Sequence, residues 1–212
     1  MCGPTLWCTF SKINAVNQAL KGFKLQTEYR RLNLFLKRAN EGHVTKQSKV
    51  FGIDDVRSLM KIDCVTTISS AELKLIKAVA ILGVCGSMRC AEIATLRLNN
   101  MKEETDGFLI EYFPLKYSGV RKAKKFMVPR NIDNPQVCFF HHMKCYMEAL
   151  SADCKPFNPD DILLQSISED GKLTQDPCSR RKIYDMPTCI ARLLNMSDAD
   201  QYTGHCFRRM VH

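Results

Sequence analysis

Apolar residues recur densely between positions 11 and 40, where Leu20, Phe23, Tyr29, Leu32, Leu34, Phe35 and Leu36 are interleaved with Lys and Arg. That spacing predicts helix. From Asn40 to Gly52 the chain turns polar and basic with two glycines, the pattern of a linker. A second helical stripe follows in Ile53, Val56, Leu59 and Met60. Ser69-Ser70-Ala71-Glu72 then supplies a hydroxyl cap with an acid in the first turn. It leads into Leu73, Ile76, Val79, Ala80, Ile81 and Val84, a face apolar enough to be central core. Gly83 and Gly86 weaken the end of that helix, and the helical pattern restarts over Arg89 to Leu96.

After Asp106-Gly107 the period changes. Phe108 to Phe113 and Phe126 to Val128 are rich in aromatic and β-branched residues, and a polar connection containing Gly119 separates them. The two runs predict a β-hairpin, and the β signal is confined to this middle region. Helix returns from about Pro135 to Leu150. Residues 151–182 are mixed, punctuated by Pro156, Pro159, Gly171 and Pro177. Met186 to Asn195 predicts another helix with Pro187 in its first turn, and Thr203 is placed to cap a last short one. There is no internal repeat. The fold class expected is mainly α with a small antiparallel β-hairpin sheet, an α+β chain.

Charge adds a partner class. Of 212 residues, 31 are Lys or Arg and 22 are Asp or Glu, a formal net charge of +9, and the pI is near 9.0. Such an excess favours polyanions, nucleic acid first. No apolar run is long enough for a membrane span, and the first residues lack a secretory pattern. Eleven scattered cysteines without a C-x-x-C pair suit reduced, mostly buried thiols in an intracellular protein.

Four groups carry candidate chemistry. Arg89-Cys90-Ala91-Glu92-Ile93-Ala94-Thr95-Leu96 is an R-x-x-E-x-x-x-L pattern opening a helix. Lys116 follows the first hairpin strand, and Gly204-His205-Cys206-Phe207-Arg208-Arg209 contains H-x-x-R. Basic residues crowd the hairpin: Lys116, Arg121, Lys122, Lys124, Lys125 and Arg130. Each is weak by itself, since an i,i+3 Arg–Glu pair is commonly a surface pair and a Lys/Arg run commonly a solvated face. Their order carries more.

That order resembles the tyrosine recombinase family, which includes the phage integrases. Gly86 to Leu96 is similar to the family's first box, and Tyr202 to Arg209 to its second. The second box is most similar to the form in eukaryotic Crypton-type mobile elements and their host-gene derivatives. The resemblance covers roughly residues 20–209. It implies that residues 1–45 belong to an N-terminal helical DNA-binding domain, that 46–52 are a linker, and that 53–212 form a partial catalytic domain. It also implies duplex DNA as partner, self-association on DNA, recombination and integration as the process, a nuclear location, and neither metal nor cofactor. Arg89 and Arg208 would hold the non-bridging phosphate oxygens, where two guanidinium forks can meet charge as it develops. Lys116, preferred over Lys122 because it directly follows the first strand, would protonate the departing 5′ oxygen. His205 would assist proton transfer, Glu92 would hold the site together, and Arg121, Lys122, Lys124 and Lys125 would contact DNA.

The sequence departs from the family at the nucleophile. The family's tyrosine lies several tens of residues after H-x-x-R, whereas this sequence runs to His212, and Tyr184 and Tyr202 both precede H-x-x-R. No nucleophile is therefore assigned, and strand cleavage by these residues alone is not expected. The rival expectations are a non-catalytic DNA-binding protein derived from a mobile element, and an inert fragment. A zinc reading of Cys138, His141, His142 and Cys145 fails on geometry, because four ligands on one uninterrupted helix cannot close a tetrahedron.

Overall fold

The protein is described by a computed structural model covering residues 3–42, 48–115, 122–154 and 158–207. The chain divides into two units, Met1–Lys46 and Gln47–His212.

The first unit is helical. α1 (Gly3–Lys21) ends at Gly22, whose positive φ of 76° lets its N–H close on the Gln18 carbonyl. α2 (Leu25–Glu28) is a single turn, and α3 (Arg30–Ala39) runs on from it. The continuous helix expected over 11–40 is thus broken. Asn14 Oδ1 accepts from the Leu25 N–H at 2.7 Å, and Asn17 Nδ2 donates to the Phe23 carbonyl at 3.0 Å. Phe10 and Leu36 are buried, while Ile13, Val16, Leu20, Leu34 and Phe35 remain exposed.

The second unit is built around α5 (Ser70–Gly86). Ser69 caps it, its Oγ accepting from the Glu72 N–H at 3.1 Å, as the sequence predicts. Every residue from Leu75 to Val84 is buried, so the helix has no solvent face over those turns. α4 (Ile53–Met60) packs Val56, Leu59 and Met60 into the same core. Past Gly86 the chain turns sharply. Ser87 is left-handed, with φ 47°, and the Met88 N–H returns to the Gly83 carbonyl at 3.3 Å. α6 (Cys90–Ile93) follows as one turn, shorter than the helical pattern to Leu96 suggested.

The predicted hairpin is present as β2 (Gly107–Tyr112) and β3 (Lys124–Pro129), with Ile110 opposite Phe126 and Tyr112 opposite Lys124. Phe108, Ile110 and Tyr112 alternate into the core. Two corrections apply to the β content. β1 (Met101–Glu104) pairs antiparallel with β2, so the sheet has three strands. A second, two-stranded sheet joins β4 (Gln165–Ile167) and β5 (Leu173–Pro177), outside the middle region. The fold is mainly α with small antiparallel sheets.

α7 (Phe139–Asp153) begins later than expected, after a 3-10 turn at Pro135–Val137. Its Tyr146 is fully buried, donating to the Leu163 carbonyl and accepting from the Gln165 N–H. α8 (Arg180–Leu193) begins earlier, capped by Ser179, so Pro187 lies inside the helix rather than in its first turn. No helix among the described residues is long and apolar enough to cross a membrane.

Gly107 has φ 151°, and a Cβ there would stand 2.0 Å from the Val128 carbonyl oxygen. Gly107→Ala should therefore strain the backbone and wedge β2 from β3, costing on the order of 3 kcal/mol. A lowered denaturant midpoint with an unchanged slope checks it; an unaltered midpoint would contradict the strand register.

Candidate functional site

The two boxes meet in space. Cys90, one residue past Arg89, places its Sγ 3.6 Å from the carbonyl oxygen of Gly204, one residue before His205. The two positions are 114 residues apart in sequence. Gly204 makes the approach practicable, since a Cβ on it would stand 3.0 Å from Cys90 Sγ and 2.8 Å from the Tyr184 ring.

Two glycines at the end of α5 complete the convergence. Phe207, fully buried, lies directly over Gly83, where a Cβ would meet its ring at 2.5 Å. Phe126 of β3 lies over Gly86, where a Cβ would meet its ring at 2.6 Å. The turn carrying the second box and the strand following the hairpin connection thus both rest on the backbone that leads into Arg89.

Arg89 is oriented before any ligand arrives. It precedes α6, and the Glu92 carboxylate accepts twice from it: from the backbone N–H at 3.0 Å and from Nη1 at 2.8 Å. Glu92 is 4% exposed and Arg89 27%. Glu92, expected to hold the site together, is thus a buried carboxylate gripping one edge of the partly exposed Arg89 guanidinium.

The second box is strapped down from the far side. The Thr203 N–H donates to Ser48 Oγ at 3.1 Å, and the Lys49 N–H donates to the Gln201 carbonyl at 3.0 Å. Tyr202 is buried and stacks on Phe51, with ring centroids 4.6 Å apart, and its carbonyl accepts from Thr188 Oγ1. His205 lies exposed on the turn that follows.

Cysteine chemistry is excluded from this floor. Burial pushes the Cys90 thiol up to about 11. It raises Cys206 further still, with the neighbouring Cys90 adding to the effect. At neutral pH both are protonated thiols, which serve as packing groups and weak donors.

The basic residues of the hairpin divide. Lys122 and Lys124 are exposed. Lys125 is paired with Glu111 at 3.0 Å. Arg130 reaches Glu103 at 3.5 Å and lies over the Phe140 ring, 4.0 Å from its centroid. Lys124 shares its face of β3 with Phe126, the face turned toward Gly86. Lys116, Arg121 and Arg208 lie outside the described residues. The residues proposed as a zinc set are dispersed into other roles. Cys138 Sγ accepts from the N–H groups of Asn131 and His141, and His142 Nε2 donates to the Gln136 carbonyl at 2.8 Å. Among the described residues, no three His, Cys, Asp or Glu side chains are arranged to hold a metal.

No family model matches the sequence, and no curated protein matches it.

Gly83→Ala should lift Phe207 off α5 despite the better helix propensity of alanine, a net loss of about 1–2 kcal/mol. Amide exchange over 203–207 should accelerate while α5 and α7 stay protected, and adding Phe207→Leu should restore part of the loss. Additive losses in the double variant would argue against the contact.

Proposed function

We propose that this chain binds duplex DNA as a tyrosine-recombinase-type module, gripping a backbone phosphate with Arg89, Arg208, His205 and a lysine of the hairpin. The observation that carries the reading is the contact between Cys90 and Gly204, which sets R-x-x-E beside H-x-x-R across 114 residues. A chance occurrence of the two patterns does not require them to touch.

The chemistry follows from the groups. Glu92 fixes one edge of the Arg89 guanidinium, leaving donors of set direction for two oxygens of one phosphate. Arg208, three residues after His205, is the expected second fork for the same phosphate. His205 donates to or accepts from the same phosphate. Lys116 is the expected proton donor to a leaving 5′ oxygen; among the described lysines, Lys124 has the face of β3 suited to that role. No nucleophile is assigned here. Tyr202 is buried under Phe51, Tyr184 rests against Gly204, and both precede H-x-x-R. The proposal is accordingly phosphate binding within a recombination or integration system, with a DNA-associated location such as the nucleus.

Salt-titrated binding to a short duplex tests it. Arg89→Ala with Arg208→Ala should weaken binding by about tenfold or more and reduce the slope of log affinity against log salt by roughly two. Because Arg89→Ala strands a buried carboxylate, Arg89→Ala with Glu92→Gln serves as the folded control. Unchanged affinity and slope in a folded double variant would sink the proposal.

A further inference from the structure

A second cationic site lies away from the boxes. The link after α4 contributes Asp63, α5 contributes Ser70, Leu73, Lys74 and Lys77, and α7 contributes His141, His142 and Cys145. Together they line a pocket of about 160 Å³. We propose that this pocket binds a small oxyanion, phosphate or a group of the same shape and charge, held by Lys77 and Lys74 with His142 and His141.

The reason is an unbalanced buried charge. Lys77 is 5% exposed, and it is the one buried lysine among the described residues. Among those residues its ammonium has one acceptor, the Met60 carbonyl at 2.8 Å, a neutral group, and no carboxylate pairs with it. Burying a charge without a counter-charge is costly, and an ammonium carries three donors. Asp63, the single carboxylate of the pocket, is exposed at its rim, where water screens it. An oxyanion inside supplies both the missing charge and acceptors for the remaining donors.

The histidines say the same. His142 is held below the ordinary histidine range, first by burial, then by the positive charges of Lys77 and His141, with the Gln136 carbonyl and Asp63 opposing. Lys77 is likewise lowered by burial, with Asp63 and Cys145 opposing. Cationic groups facing each other across a cavity disfavour one another's protonated forms, and an anion between them reverses the sign. A metal ion is the wrong occupant: although Cys145 Sγ and His141 Nε2 are 3.6 Å apart, two lysines line the same space.

The site stands independently of the DNA reading, and the full chain can be tested with inorganic phosphate and sulfate as probes. Against chloride at equal ionic strength, phosphate should raise Tm saturably. Sulfate, which does not titrate near neutrality, should raise the His142 pKa read by NMR. Binding should tighten as pH falls through the histidine range, because the bound state takes up protons. Lys74→Ala, at a half-buried position, should weaken phosphate about tenfold with the fold intact. Lys77→Met should abolish the response, and Asp63→Asn should strengthen it. Equal Tm in phosphate and chloride with a stationary His142, or a folded Lys74→Ala with undiminished affinity, would overturn the proposal. Duplex DNA supplies the last arm. Displacement of phosphate by DNA assigns the pocket to a backbone phosphate, and coexistence assigns it to a free anion; either result requires the site.

Discussion

The Gln47–His212 unit depends on how closely other segments can approach the last turns of α5. A helix buried on every side normally keeps its neighbours a side chain's width away. At Gly83 and Gly86 that spacer is missing, and two aromatic rings, Phe207 and Phe126, lie almost on the helix backbone. Each glycine costs helix stability relative to alanine, by up to about 1 kcal/mol. The burial of the rings offsets it, and the consequence is positional. The sheet and the second box are both referenced to the end of one rigid helix, where the chain turns into Arg89.

The turn itself continues the constraint. Ser87 takes a left-handed conformation, Met88 goes fully into the core, and Arg89 emerges with its backbone and its guanidinium on the same carboxylate. A surface Arg–Glu pair at this spacing is worth a few tenths of a kcal/mol. With Glu92 buried, the pair fixes the direction of the guanidinium, and losing Arg89 alone would leave the carboxylate buried without its counter-charge. The floor below, built from Cys90, Cys206 and Phe207, is apolar and chemically quiet. The polar work of the site is left to the guanidinium and the exposed turn at His205.

Sequence pattern located the strongly periodic elements and missed the weakly patterned ones. The apolar run of α5, its Ser69 cap and the β2–β3 hairpin were legible because burial there is continuous or alternating. β1 reads Met-Lys-Glu-Glu, with only Met101 half-buried, so no alternation marks it. β4 and β5 are three and five residues long, too short for a period to register. The first turn of α8 is Arg180-Arg181-Lys182, which carries no apolar period to mark the helix start. Order along the chain placed the two boxes in one candidate site, but their meeting depends on Cys90 and Gly204, residues that neither pattern specifies. Lys77 escaped notice for the opposite reason. In a stretch so apolar, one lysine reads as a solvated edge, and only three-dimensional packing shows it enclosed.

Counting basic residues around the hairpin overstates what they can offer a polyanion. A lysine already paired to a carboxylate must break that pair before it neutralises a phosphate, and the released carboxylate then repels the same strand. Lys125 with Glu111 and Arg130 with Glu103 are in this position, and Arg130 would also leave the face of Phe140. Lys122 and Lys124 carry no such cost from the ion pairs among the described residues. The two kinds of cation act at different ranges. Exposed lysines attract a duplex over about a Debye length and lose that attraction as salt rises. Arg89, nearly neutralised by Glu92 at a distance, contributes little to the long-range field, and in the proposed complex it would act on contact, through the direction of its donors. In the proposed complex, long-range attraction and positioning would therefore fall to different residues, the exposed lysines for the first and Arg89 for the second.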